Sequence, residues 1–550
     1  MRVSRKGWKD RDRVEKLLIL CAVMLALALC AALIFAGRLL FSDNGPSSGQ
    51  TPLVQASPTP AVLATPEDRL PVYLRVGQEV PKAVFQEEDG TEVHLDSLQT
   101  EGSRGLWLVF WASWCPDCTE QFQIIWDMER LAQEEQVDLV LIDRLNPQKE
   151  SREKAREKLK DLGVSARCVY DVDEVCYKAW GMKEIPSAVM LDGRQTVREY
   201  HAGVMTAGQC AGMLSRFVNG RDSAGRTFIQ NRFMNESGGI MSSTGAGGAS
   251  PSGADVLSES QGLMLLYALE KDDRALFDQT WGYVRDHLLV NGIPAWYAGE
   301  KGPAGVNALL DDLRIWSALD EAGRRWDARY TASAKTLLDA LSSSCVNKNG
   351  QLVDFVEFES GRQAATLTLC YIDLKSLEAM AKESSALTTP LECAREILQN
   401  GRISDAFPLY YCRWDYEKKT YSQDSLNTAE ALYTLWNLSR AKALPSDALA
   451  WLRARVETAT LAARYRVDGT AVPGYEYHST AVYGLAALIA REENDPALFE
   501  TALRRMERMS SLDKNDAMFG AYCQQGAEAY AFDQLIPLLV NATLSGRMES

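Results

Sequence analysis

The hydrophobic pattern divides the chain into three kinds of stretch. The first, Leu17 to Gly37 (LLILCAVMLALALCAALIFAG), is uncharged and almost wholly apolar. At about 1.5 Å per residue it is long enough to cross a hydrocarbon core of roughly 30 Å as one helix. From Val76 onward short apolar runs alternate with helical ones. Leu106 to Phe110 reads as a strand, Thr119 to Gln133 as a helix and Val137 to Ile142 as a second strand, which is the grammar of a βαβ unit. After Asn219-Gly220 the strand signals nearly vanish, and a Gly/Ser stretch from Gly238 to Gly253 leads into helix after helix. Helical periodicity covers Ser258 to Leu269, Arg274 to Leu289, Asp311 to Ala322, Trp326 to Leu341, Leu391 to Asn400, Thr428 to Ala441 and Thr480 to Arg491, among others. Roughly a dozen helices with no fixed 34-residue period argue against a tetratricopeptide solenoid and for a closed barrel of helical hairpins. The pattern therefore predicts a transmembrane helix, then an α/β domain, then an all-α domain.

Charge orients the first segment. Residues 1–16 hold seven Lys/Arg against Asp10, Asp12 and Glu15, so the positive-inside rule leaves the N-terminus in the cytoplasm and everything after Arg38 outside. A cleaved signal peptide fits less well, because its apolar region would run about 7 to 15 residues and no small-residue cleavage site follows. Residues 38–71 are rich in Pro, Ser, Thr and Gly, the composition of a disordered linker. The expected division is a basic tail at 1–16, a single membrane span at 17–37, the linker, an α/β domain at 72–220 and a helical domain at 221–550. The chain's net charge is -15, with the basic tail included, which argues against nucleic acid as a partner. Only four histidines occur, none paired at metal-ligand spacing on a helix, so no metal site, no cofactor and no Ser/His/Asp machinery is predicted.

Chemistry concentrates first at Phe110-Trp111-Ala112-Ser113-Trp114-Cys115-Pro116-Asp117-Cys118. This CxxC falls where a strand turns into a helix, and a helix N-terminus stabilises the thiolate that attacks disulfides. Half a zinc site is the competing reading, but no second CxxC or suitable His lies nearby. From about Val76 to Gly220 the chain resembles the membrane-tethered thioredoxin-like thiol-disulfide oxidoreductases, through Val76-Gly77-Gln78-Glu79-Val80-Pro81, Asp89-Gly90, the Trp-Cys-Pro-x-Cys and Ile185-Pro186-Ser187. The resemblance implies Cys115 as nucleophile, Cys118 as resolving thiol and Pro186 as a cis proline facing them, beside a protein disulfide or thiol partner. Asp117 between the sulfurs leans toward a reducing couple. Gln121 stands where many relatives carry Glu, and Cys168 and Cys176 are read either as a second disulfide or as two small buried side chains.

The second cluster is acidic. Leu257-Ser258-Glu259-Ser260-Gln261-Gly262 opens an apolar helix, and Ala308-Leu309-Leu310-Asp311-Asp312-Leu313-Arg314-Ile315 opens another, continuing through Ala318, Leu319 and Ala322 to Trp326. These two ordered segments resemble those of glycoside hydrolase family 8. The resemblance implies an (α/α)6 barrel, a polysaccharide substrate, Glu259 as a proton donor kept protonated by burial, and Asp312 as a sugar-binding acid. Leu310 departs from it, standing where the family has its first Asp, and Asp311, here a candidate substrate-binding residue, replaces a small residue. Inversion needs a second carboxylate to activate water; Asp424 is the candidate, with Asp415 behind it. Trp281, Trp296 and Tyr297, with Tyr410, Tyr411 and Trp414, are candidates to stack on sugars. Two functions follow: a membrane-anchored protein that joins dithiol chemistry to polysaccharide hydrolysis, or a redox protein whose barrel only binds a glycan or a partner.

Overall fold

The computed structural model describes residues 74–245, 255–523 and 528–545. The expected basic tail at 1–16, the membrane span at 17–37 and the linker at 38–71 lie outside the described residues. Among the described residues no helix is long and apolar enough to cross a membrane.

The first domain is a seven-stranded sheet of order β2-β1-β5-β4-β3-β6-β7. Its strands are β1 (Val84–Gln86), β2 (Glu92–His94), β3 (Leu106–Trp111), β4 (Asp138–Asp143), β5 (Arg167–Tyr170), β6 (Ser187–Leu191) and β7 (Val197–Ala202). β3, β4 and β5 run parallel, while β6 and β7 return antiparallel. β3 lies inside the sheet between β4 and β6, and its sequence LWLVFW is buried at every position, as a strand covered on both faces must be. Trp107, Val109 and Trp111 pack on one face beneath α1 (Pro116–Gln121), α2 (Ile125–Glu134) and, further along the chain, Ala207–Asn219; Leu106, Leu108 and Phe110 pack on the other. This alternation also separates Cys168 from Cys176: the first packs on the face of Trp111 and the second on the face of Phe110, and both thiols are free. They do not form the second disulfide.

The remaining helices of this domain are α3 (Arg152–Asp161), α4 (Val175–Ala179) and α5 (Ala207–Asn219). Then begins the barrel, with α6 (Ser223–Arg232), α7 (Ser258–Glu270), α8 (Arg274–Tyr283), α9 (Leu309–Arg325), α10 (Ala328–Ser344), α11 (Leu374–Glu383), α12 (Thr388–Asn400), α13 (Thr428–Arg440), α14 (Ser446–Glu457), α15 (Thr480–Glu492), α16 (Pro496–Glu507) and α17 (Ala531–Ser545). The odd-numbered helices from α7 pack in sequence, and α17 closes on α7; α6 and the even-numbered helices from α8 lie outside them. Burial follows position. α15 is buried at every residue from Thr480 to Ala490, whereas α10 buries only Tyr330, Ala334, Leu337, Leu338 and Leu341, the single stripe of a surface helix. α10 begins two residues later than the periodicity suggests because Asp327 caps it, accepting from the Arg329 N–H at 3.0 Å.

The two domains meet in a buried charge cluster. Arg216 of α5 lies 2.5 Å from Glu507 of α16 and 3.2 Å from Glu199 of β7. Arg221 pairs with Glu199 at 2.7 Å, and the Tyr522 hydroxyl donates to Glu507 at 3.1 Å. Against the cost of burial, Arg216 and Arg221 hold the Glu507 carboxyl down at about 2.

Candidate functional site

The dithiol sits where β3 runs into α1. Cys115 is the N-cap, and its sulfur accepts the Cys118 N–H at 3.1 Å, so the first amides of the helix address the sulfur where negative charge would develop. The Cys115 thiol also faces the carbonyl of Ile185 at 3.6 Å, and the Ile185–Pro186 peptide is cis. Cys118 lies deeper, fully buried, and burial raises its thiol well above the ordinary range, with Cys115 and Asp117 adding to the rise. The turn is braced from below by Glu150, which accepts from the Ser113 N–H at 2.6 Å and the Ser113 hydroxyl at 2.8 Å. Gln121 is a structural link: its side-chain oxygen accepts from the Met205 N–H at 2.7 Å and its amide nitrogen donates to the Met205 carbonyl at 3.3 Å. Trp114, 40% exposed, stands beside the cysteines with Lys149 5.1 Å from its ring.

The barrel gathers acids at one end because inner helices present their first turns there. Glu259 belongs to the first turn of α7, Asp311 and Asp312 to that of α9, and Glu430 to that of α13. Glu259 is buried, and its Oε2 has no hydrogen-bond partner. Burial, reinforced by the Asp311 charge and opposed by Arg314, pushes its carboxyl up to about 8. Both oxygens of Asp311 are held: Oδ2 accepts from the Ser258 hydroxyl at 2.6 Å and Oδ1 from Arg314 Nη1 at 3.0 Å. A small pocket is lined by Glu259, Leu310, Cys370, Asn427, Glu430, Tyr433 and Phe532. Burial raises the Glu430 carboxyl to about 7, tempered by Arg464 and Arg413. No group of three or more potential metal ligands occurs among the described residues.

Several sequence candidates stand elsewhere. Asp312 is fully buried beneath the pocket wall, accepting from Asn307 Nδ2 at 2.6 Å; Asp311, its neighbour, is the one beside Glu259. Asp424 is exposed and paired with Arg413 at 2.7 Å, and Asp415 accepts from the backbone N–H groups of Glu417 and Lys418 in a turn. Neither lines the pocket, because both precede α13 in the loop rather than entering its first turn. Trp281 is packed in the barrel core, with its indole among apolar side chains and not on an open face. Trp296 and Tyr297 are half-buried and meet edge to face with centroids 4.5 Å apart. The Trp296 carbonyl accepts the N–H of Ser258 at 3.0 Å, which ties this pair to the start of α7. Tyr410 is buried, while Tyr411 stacks on Tyr421 at 5.3 Å and Trp414 tilts against the same ring at 4.7 Å.

Glu430 was not singled out from the sequence. In Asn427-Thr428-Ala429-Glu430 it occupies the position of a capping-box acid, a sufficient local reason for its presence. The cap is instead made by the Asn427 side chain, which accepts from the Ala429 N–H at 2.9 Å, and the Glu430 side chain lines the pocket.

Residues 75–215 match the Redoxin family model, and residues 227–353 match that of glycosyl hydrolases family 8. The chain fuses a thioredoxin-like domain to a family 8-like glycoside hydrolase domain. Among curated proteins, YdaJ of Bacillus subtilis (strain 168) is 28% identical over 294 residues, spanning 52% of this chain and 79% of that one. The thiol-disulfide oxidoreductase ResA of the same organism is 23% identical over 130 residues, 24% of this chain and 69% of its own. A solved structure described as a novel alpha-amylase from Clostridium perfringens is 25% identical with a TM-score of 0.54, covering 58% of this chain and 96% of that one. The two halves of this fusion are thus of thiol-disulfide oxidoreductase and glycosidase type.

Proposed function

We propose that this fusion protein is anchored to the cell membrane by residues 17–37, exchanges disulfides through Cys115 and Cys118, and hydrolyses a polysaccharide in its barrel with inversion. The observation that carries the hydrolytic reading is the pairing of two raised acids, Glu259 and Glu430, on the wall of one pocket. Glu259, with the higher affinity for its proton, donates to the glycosidic oxygen as the bond breaks. Glu430, which ionises first, takes a proton from the water that attacks the opposite face of the sugar ring. Asp311 keeps Glu259 protonated and contacts the sugar, and Trp296 and Tyr297 border the cleft. In the redox domain the Cys115 thiolate attacks a partner disulfide, forming a mixed disulfide and releasing one partner thiolate. Cys118 then loses its proton and attacks Cys115, which frees the second partner thiol and leaves the pair oxidised. The cis Pro186 loop offers backbone to the partner peptide.

Leu310 on the pocket wall favours one competing reading, a barrel that binds glycan without cutting it, since an apolar side chain there offers the sugar no hydrogen bond. The deciding assay is reducing-end release by the full chain from starch, β-1,4-glucan, xylan and chitosan, with Glu259→Gln and Glu430→Gln as controls. Release by the wild type alone supports hydrolysis, and silence on every polymer leaves the binding role. Insulin-disulfide reduction with Cys115→Ser tests the other half; an unchanged rate removes the assigned nucleophile.

A further inference from the structure

The side chain that organises the acidic end of the barrel is Arg314. It is 3% exposed, and it reaches from α9 to α7 and to α13. Nε donates to the Tyr433 hydroxyl at 2.9 Å, and the guanidinium carbon lies 5.1 Å from the centre of that ring. Nη1 donates to Asp311 Oδ1 at 3.0 Å and to the Glu259 carbonyl at 3.4 Å, while Nη2 is buried without a partner. The packing of α7 is shaped around this crossing. Gly262, one turn after Glu259, leaves the space the arginine stem fills, and a Cβ there would come within 2.9 Å of Arg314 Cδ. A glycine inside a helix costs about 1 kcal/mol relative to alanine, and here it is what lets the guanidinium reach α7 and α13.

The two acids beside Arg314 are treated differently. Burial raises the Asp311 carboxyl above the ordinary range, and what opposes it is the Arg314 charge and a hydrogen bond on each oxygen, one from the guanidinium and one from Ser258, contacts that favour the carboxylate. Glu259 receives only a long bond to its backbone carbonyl, and its Oε2 is left bare, an environment that favours the neutral acid. We propose that Arg314 is a positioning residue that decides which of these neighbouring acids keeps the proton, holding Asp311 as the carboxylate so that Glu259 remains the acid. This rests on the hydrolytic reading for its purpose, though the proton assignment stands on its own. The other acids facing Glu259 are Glu430 of α13, itself tempered by Arg464 and Arg413, and Asp533 of α17, so Arg314 is the cation that acts on both Glu259 and Asp311.

The test uses the full chain with Arg314→Met, Arg314→Lys and Asp311→Asn, and two readouts. Infrared difference spectra at pH 7 report which carboxyls are protonated, assigned by loss in Glu259→Gln and Asp311→Asn. Wild type should show Glu259 protonated and Asp311 ionised, and Arg314→Met should move the proton toward Asp311, weakening the Glu259 band and adding a protonated Asp311 band that Asp311→Asn abolishes. In the glycan assay kcat should fall about a hundredfold in Arg314→Met, the scale of a lost general acid, with KM within about twofold and partial recovery in Arg314→Lys. If Arg314→Met does not fold, Arg314→Lys decides: its single ammonium cannot reproduce the fork, so the protonated fraction of Asp311 should still rise. An Asp311 that stays ionised in whichever variant folds overturns the proposal. A wild type silent on every glycan sinks the hydrolytic reading instead, and the infrared result separates the two failures.

Discussion

Replacing Glu259 with Gln should stabilise the protein, and by more at pH 7 than at pH 5. The Glu259 carboxyl is raised from 4.5 to about 8, chiefly by burial. A raised acid contributes fully to stability below about 4.5 and loses that contribution as pH climbs toward about 8, because the unfolded chain gives up its proton first. At about 1.4 kcal/mol for each pH unit, the resulting penalty is about 1 kcal/mol at pH 5 and about 3 kcal/mol at pH 7. Gln has no proton to lose, so the stability of Glu259→Gln minus that of wild type should grow by about 2 kcal/mol between pH 5 and pH 7. Other titrating groups largely cancel in this difference, since both proteins carry them. Urea unfolding curves at the two pH values measure it, and the glycan assay on the same samples should show lost hydrolysis alongside the gained stability. A difference that is the same at both pH values, or that shrinks toward pH 7, refutes the idea that the native acid is held neutral by burial.

Hydrolysis should be confined to a narrow range of pH. Below about 7 Glu430 takes up a proton and stops acting as base, and above about 8 Glu259 loses the proton it must donate, so kcat should peak between these values; a plateau extending to pH 5 would contradict the assignment. At the domain junction, Glu507→Ala leaves Arg216 and Arg221 with only Glu199 to balance them and should cost about 3 to 5 kcal/mol. Because Glu507 is held down at about 2, wild type should lose the same stabilisation as pH falls from 4.5 toward 2, and the variant should not; calorimetry at pH 3 and pH 6 compares them. Gly262→Ala would gain about 1 kcal/mol at an ordinary helical site. Here the added Cβ meets Arg314, so both Tm and kcat should fall, and a stabilised, fully active variant would show that Arg314 has room to move.

The sequence alone was enough for the elements and for the chemistry that depends on neighbours along the chain. Alternating and helical periodicities marked β3, β4 and the barrel helices close to their observed limits, because burial on one face or all faces leaves a local imprint in residue order. Cys115 and Cys118 could be named as candidates because a dithiol at a helix start is complete within four residues, and Glu259 because it opens an apolar helix. The acid proposed to oppose Glu259 was a different matter. Asp424 had sequence proximity to the right region, yet only closure of the ring decides that the first turn of α13, not the loop before it, borders the pocket of α7. Asp312 and Asp311 are adjacent in sequence and indistinguishable by composition, but a helix turns about 100° per residue, which sends one under the pocket wall and the other toward Ser258 and Arg314. Arg314 carried no signal, since its role consists of contacts with Asp311, Tyr433 and Glu259 on three helices, and a periodicity records which side of a helix is buried but not what it is buried against.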